Sequence, residues 1–194
     1  MTTLTNKKIF VVNGFPGVGK DYFIDNAIEI LKLKDGTCLV GKYSTVDSIK
    51  VAAKLFGWDG EKTLKARKFL SDLKNLTTDF NDFSLEEIKA KIIAASHEFY
   101  FILAREPLEI QKLKDFAEEK NISFVSILIT RKLLKTPMFE TEFKNLGNET
   151  SYSCFLKNHL TPADLDVMSF NYDLIIDNTE ENFIKSISYF CESL

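Results

Sequence analysis

The sequence predicts an α/β fold: a parallel five-stranded sheet with helices on both faces. Two observations carry this. Short apolar runs alternate with segments of helical periodicity along most of the chain, the pattern of repeated strand–helix–strand units. The first apolar run also ends in a glycine-rich loop that leads straight into a helix. The 194 residues, 45% hydrophobic and 27% charged, suffice for one domain with its own core.

Taken in order, residues 8–13 (Lys-Ile-Phe-Val-Val-Asn) form a short apolar run ended by glycine, as in a buried parallel strand. Phe23, Ile24, Ala27, Ile28, Ile30 and Leu31 give residues 20–33 a helical period. Residues 37–41 are the second strand candidate. Residues 45–56 and 61–76 read as helices separated by Gly57-Trp58-Asp59-Gly60. A third helix over 84–97 carries Leu85, Ile88, Ile92 and Ile93 on one face. Residues 99–104 form a strongly apolar strand. Pro107 opens the next helix, a position where proline is well tolerated, and that helix runs to Lys120. Residues 123–130 are rich in β-branched side chains and read as a strand. Residues 131–160, with Pro137, Gly147 and several Asn and Thr, read as an excursion. Residues 173–176 are the last strand and 180–193 the last helix. The insertions at about 43–97 and 131–160 are expected as flaps of one domain spanning 1–194.

Composition narrows the function classes. A net charge of −3 gives no support to nucleic-acid binding. Cys38, Cys154 and Cys191 are widely spaced without CxxC pairing, as expected for reduced structural thiols. Two histidines, His97 and His159, are too few and too far apart for a His-based metal site. No apolar run reaches membrane-span length, and the N-terminus lacks the apolar core of a signal peptide, so a cytoplasmic location is expected. A homodimer is the default expectation for such a chain.

Chemistry enters at Gly14-Phe15-Pro16-Gly17-Val18-Gly19-Lys20-Asp21, which matches GxxxxGK in the required strand–loop–helix context. Glycines let the backbone curl so that successive N–H groups point at phosphate oxygens. The helix that follows adds its positive N-terminal end. Lys20 can reach the β- and γ-phosphates of a nucleotide as a point charge. Gly14, Gly17, Val18, Gly19, Lys20 and Asp21 are therefore the nucleotide-binding candidates, with ATP and Mg²⁺ as the implied cofactors. The eighth position is Asp21 where Ser or Thr usually ligates Mg²⁺. A carboxylate is also a hard oxygen ligand, so Asp21 is a metal candidate that adds negative charge beside the phosphates.

Only three of the 25 basic residues are arginines: Arg67, Arg105 and Arg131. Arginine is the better bidentate phosphate clamp. Arg105 ends the central apolar strand and Arg131 follows the fourth, and parallel sheets bind ligands at the carboxyl ends of strands. The plain alternative for each is a surface ion pair. Glu106 is the best candidate for an acid on Mg²⁺ or its water, against the alternative of a favourable charge at a helix N-terminus. Asp47 follows the second strand and is placed to contact an acceptor or a metal-bound water. Trp58, the single tryptophan, either reports acceptor binding or is structural.

The Gly19-Lys20-Asp21 ending resembles the loop of deoxynucleoside monophosphate kinases of phages and bacteria, and phosphomevalonate kinases of the animal type share it. Tyr43-Ser44-Thr45-Val46-Asp47, then Gly57-Trp58-Asp59-Gly60-Glu61-Lys62 and Arg67-Lys68-Phe69-Leu70-Ser71-Asp72-Leu73-Lys74, look like the acceptor-binding insertion of the former. Arg105-Glu106-Pro107 and the closing Tyr172-Asp173-Leu174-Ile175-Ile176-Asp177-Asn178 are similar too.

The resemblance implies a nucleoside monophosphate kinase-like fold, with ATP on the loop, a monophosphate in the first insertion and the second insertion as a lid. Arg67 and Lys74 would hold the acceptor phosphate, with Tyr43, Ser44, Asp47 and Trp58 in the same insertion. Arg105 would bridge acceptor and transferred phosphoryl. Arg131, with Lys132, would cover the ATP side, and Asn178 would lie near the adenine. This chain departs from the pattern between Lys132 and Leu160, where the lid offers lysines and no arginine. Two other readings stay open: a P-loop kinase of another small phosphorylated metabolite, and a nucleotide-binding module without turnover.

Overall fold

The computed structural model describes residues 6–61, 63–130, 166–178 and 182–194. Five strands form one sheet in the order β2-β3-β1-β4-β5. They are β1 (Lys8–Asn13), β2 (Val40–Ser44), β3 (Phe99–Leu103), β4 (Ser123–Thr130) and β5 (Leu174–Asp177). The sheet is parallel, with Val40 opposite Phe99 through Ser44 opposite Leu103, and Ile127 opposite Leu174 through Thr130 opposite Asp177. Helices lie on both sides: α1 (Lys20–Lys34), α2 (Asp47–Leu55), α3 (Leu64–Asn81), α4 (Phe83–Ala94), α5 (Pro107–Glu119) and α6 (Phe183–Glu192). The central strand β1 is buried from Ile9 onward, as its unbroken apolar run requires.

Element bounds shift by up to three residues from the sequence reading, as where α4 ends at Ala94 rather than 97, and two elements differ more. The second strand starts at Val40, not at residue 37. Asp35 explains this: its carboxylate accepts from the Thr37 N–H (2.9 Å) and hydroxyl (2.7 Å), which holds Thr37 in a turn. The strand then continues through Lys42, Tyr43 and Ser44, polar residues that an edge strand accommodates. Helix α3 runs to Asn81, five residues past the expected end, and stops where Asp82 turns left-handed (φ 52°). Its start is the Thr63 cap, whose hydroxyl accepts from the Ala66 N–H at 3.2 Å.

The chain gathers into two compact units. The first is drawn from Met1–Val11, Leu39–Ala104 and Leu108–Phe124. Its core is built on Ile9, Phe10, Ile49, Ile92, Tyr100, Phe101 and Ile110, all at most 1% exposed. The Phe10 and Phe101 rings stack at 5.1 Å. Lys7 is buried, and its ammonium donates to the carbonyls of Ile92 and Ala95 at the end of α4. A cation at that place satisfies orphan carbonyls and opposes the negative end of the helix dipole.

The second unit is drawn from Val12–Cys38, Arg105–Pro107 and Val125–Leu194. In it α1 packs on α6 through Phe23, whose ring contacts Phe183 (6.2 Å) and Phe190 (5.4 Å). Cys38 and Cys191 are both buried, and Cys154 lies outside the described residues. Burial pushes the Cys191 thiol up to about 11. Among the described residues no helix is long and apolar enough to cross a membrane.

Candidate nucleotide site

The loop after β1 is built on three left-handed glycines: Gly14 (φ 145°), Gly17 (φ 79°) and Gly19 (φ 94°). At two of them only glycine fits for a second reason. A Cβ on Gly14 would run into the Ile129 carbonyl of β4, and one on Gly19 would stand 2.6 Å from Asn178 Nδ2. Gly19 caps α1 without a side-chain hydrogen bond, so the helix begins with its N–H groups at the loop. Lys20 is the first residue of α1, and its ammonium reaches back to the carbonyls of Gly14 and Phe15 (2.9 Å). Its charge therefore sits on the loop. Asp21 is exposed in the first turn of α1.

Buried and half-buried polar side chains brace this loop, and two of them carry no motif that would have flagged them. Asn13, fully buried at the end of β1, accepts the Gly14 N–H on its Oδ1 at 2.7 Å. Its Nδ2 donates to the Arg105 carbonyl (3.0 Å) and the Tyr172 hydroxyl (2.7 Å). Tyr172 in turn donates to the Val167 carbonyl at 2.8 Å. The hydroxyl is used as acceptor and donor, which fixes the orientation of the Asn13 amide. Burial pushes the Tyr172 phenol up to about 12, while the bond from Asn13 pulls the other way. Thus one amide ties the start of the loop to the backbone that carries Arg105. Asn178 braces the other end: its Nδ2 donates to the Val18 carbonyl at 2.8 Å, and its N–H donates to the Thr130 carbonyl at 2.6 Å. Glu106 is half-buried just before α5.

In the first unit, α3 is turned in an unexpected way. Arg67, Ser71, Lys74 and Thr78 recur at helical spacing and point inward, half-buried or buried. Lys74 is buried and pairs with Glu109 of α5 at 2.7 Å, with both side chains at most 8% exposed. The other Glu109 oxygen accepts from the Thr45 hydroxyl at 3.2 Å. Lys74, expected on an acceptor phosphate, thus has a carboxylate partner already, and an anion would have to displace it.

Among the other acceptor candidates, Tyr43 stacks on Tyr100 at 6.3 Å, and Asp47 accepts the Ser44 N–H at 2.9 Å. Trp58 is half-buried, its Nε1 donating to the Glu61 carbonyl at 3.0 Å. Arg131, Lys132, Lys62 and the expected lid at 131–160 lie outside the described residues.

No protein-family model matches the chain, and no curated protein matches it. Solved structures do. APE1195 matches at 16% identity over 97% of this chain and 95% of its own, with a TM-score of 0.54. A protein from Chloroflexus aurantiacus described as a “putative kinase” matches at 12% identity over 97% of this chain and 99% of its own, TM-score 0.54. The Deinococcus radiodurans tunicamycin resistance protein matches at 12% identity over 95% of each chain, TM-score 0.54. The chain shares the α/β fold of these three proteins. At these identities the likeness concerns the fold alone, and the chemistry has to be argued from the loop and the side chains around it.

Proposed function

We propose that this chain is a cytoplasmic P-loop kinase that transfers the γ-phosphoryl group of ATP to a nucleoside monophosphate of the deoxy class, giving the diphosphate. One observation carries the reading: Lys20 stands on a loop of three left-handed glycines between β1 and α1, braced by the side chains of Asn13 and Asn178. The fold likeness to a protein described as a kinase supports phosphoryl transfer. The sequence resemblance of Tyr43–Lys74 to an acceptor-binding insertion supports a monophosphate as the acceptor.

The donor set suits Mg²⁺. Among the described residues no group of three or more His, Cys, Asp or Glu side chains gathers, so no all-protein metal cage is offered. Mg²⁺ is the cation that works with one or two carboxylates, substrate phosphates and water. Asp21 and Glu106 are the residues that would hold it or its waters. When bound, it neutralises charge on the phosphate oxygens.

The chain's own residues supply the rest. Loop N–H groups and the start of α1 would cradle the phosphates. Lys20 would exchange two neutral carbonyls for charged phosphate oxygens, which make stronger hydrogen bonds. Arg105, its backbone held by Asn13, would bridge acceptor and transferred group. Arg131 is assigned to the ATP side. Arg67 would bind the acceptor phosphate from the inward face of α3, with Tyr43, Ser44, Asp47 and Trp58 as further acceptor contacts. An acceptor phosphate is already ionised, so positioning and charge neutralisation suffice without a general base.

The test is ADP formation with ATP, Mg²⁺ and each deoxy- and ribonucleoside monophosphate in turn. Turnover with one or a few deoxynucleotides is expected, with Lys20→Ala lowering kcat by about 100-fold or more. ATP binding that depends on Lys20, without turnover on any monophosphate, would sink the acceptor assignment.

A further inference from the structure

Helix α3 keeps Ala66, Leu70 and Leu73 half-buried but turns three large apolar residues away from its own unit. Phe69, Leu76 and Phe80 stand at i, i+7 and i+11, on the face opposite Arg67, Ser71, Lys74 and Thr78. They are 36%, 68% and 85% exposed, and Lys74 is the one buried side chain among those of α3 that are described. The stripe extends at both ends. Phe56, 71% exposed, meets Phe69 edge-on at 6.3 Å and follows the 86% exposed Leu55. Phe83, 42% exposed, continues it past the C-terminus of α3. Large apolar side chains exposed together along one helix face mark an interaction site.

The charges beside the stripe say what covers it. Exposed Lys65 and Lys68 lie toward the N-terminal end of α3, exposed Asp72 at its middle and exposed Asp79 near its C-terminal end. The first turn has no acid and the last turn no base. That order opposes the helix's own dipole, which favours acids first and bases last. The pattern is instead complementary to itself read backwards. A second α3 running antiparallel about a two-fold near Asp72 would set Lys65 against Asp79, beside the Lys68–Asp72 pair that each helix already makes at 2.7 Å. It would also set the apolar half Leu55-Phe56-Phe69 against Leu76-Phe80-Phe83.

We propose that this face is a self-association surface, covered by α3 of a second copy of the chain antiparallel across a two-fold axis. The proposal is independent of the nucleotide site. An isologous contact of this kind repeats each pairing twice, so every favourable charge pair counts double.

Sedimentation of the full chain across the micromolar range tests it. A concentration-dependent dimer is expected, with Phe80→Glu shifting the chain to the monomer while its circular dichroism stays unchanged. Lys65→Glu and Asp79→Lys should each weaken association by about tenfold, since each disrupts two pairs. The double swap should restore it, because each copy then meets both changed residues. A wild-type chain that stays monomeric throughout overturns the proposal, as does a dimer indifferent to Phe80→Glu. A double swap that fails to restore the dimer overturns the antiparallel pairing.

Discussion

The two units put their polar side chains to different ends. In the unit that holds the glycine loop, side chains bond to backbone: Asn13 to Gly14 and Arg105, Asn178 to Val18, and Asp173 to the N–H of Ser126. In the other unit Lys7 also bonds to backbone, but buried charge meets buried charge as well, Lys74 to Glu109, with Thr45 completing the carboxylate. Bracing a backbone fixes its shape, and a phosphate cradle is a matter of backbone shape. A buried ion pair fixes which helices stay together, and breaking it is felt in stability. The difference predicts that perturbing the first unit's pair unfolds, and that perturbing the second unit's braces misplaces the loop.

The largest expected effect is Lys74→Ala. It leaves Glu109 buried and unpaired, which costs about 3–5 kcal/mol. Replacing both partners by methionine should recover most of that, because two apolar side chains of similar size leave no charge behind. Urea unfolding of the single and double variants measures both. An unchanged midpoint for Lys74→Ala would remove the pair from the account of what holds α3. A double variant that regains stability without regaining turnover would return Lys74 to the acceptor site.

Asn13→Asp is the corresponding change in the other unit. It keeps the acceptor for the Gly14 N–H and loses both donor arms, setting a carboxylate oxygen against the Arg105 carbonyl. Leaving buried partners unsatisfied costs about 1–3 kcal/mol. Turnover should fall further than Lys74→Met/Glu109→Met makes it fall, because Lys20 rests on Gly14 and Arg105 rests on Asn13. Equal losses of turnover in the two variants would erase the distinction between bracing and pairing. Asn178→Ala, which frees only the Val18 carbonyl from its side-chain donor, should cost about 1 kcal/mol.

What could be read from sequence follows the same division. Strands β1, β3 and β4 were legible because buried parallel strands are unbroken apolar runs, and β4 lies at the expected Ser123–Thr130. The loop was legible because left-handed backbone demands glycine, and glycine shows in a sequence. The end of α3 was not, because Thr77 and Thr78 are weak helix formers. There the Thr77 hydroxyl bonds back to the Lys74 carbonyl at 2.9 Å and the helix continues. Tyr172 was not legible either, since a single hydroxyl reaches Asn13 from 159 residues away and no local pattern encodes that distance. The resemblance put Lys74 on an acceptor phosphate, and nothing local showed its carboxylate partner, which comes from another helix.

The smallest effect, and the sharpest probe of the bracing network, is the alkaline response of Tyr172→Phe. Burial raises the folded Tyr172 phenol to about 12 from an ordinary 10.0, and raises Tyr100 to about 12 in the same way. The Cys191 thiol rises to about 11 from 9.0. A group whose folded value is raised gives stability that is complete below its unfolded value and lost as pH climbs through the folded one. These three therefore predict a decline in unfolding free energy that begins near pH 9.0 with Cys191 and runs toward 12 with the tyrosines. Lys7 acts oppositely. Burial lowers its value from 10.5, so the strain of holding it charged eases as pH rises toward that point. Tyr172→Phe should cost about 1 kcal/mol near neutral pH, for the lost bonds to Asn13 and Val167, and then show a shallower alkaline decline than the parent chain. Denaturant midpoints from pH 8 to 11 would show it. Parallel curves for the two proteins would mean that the phenol ionises as freely in the fold as out of it, and that the hydroxyl does not lock the Asn13 amide.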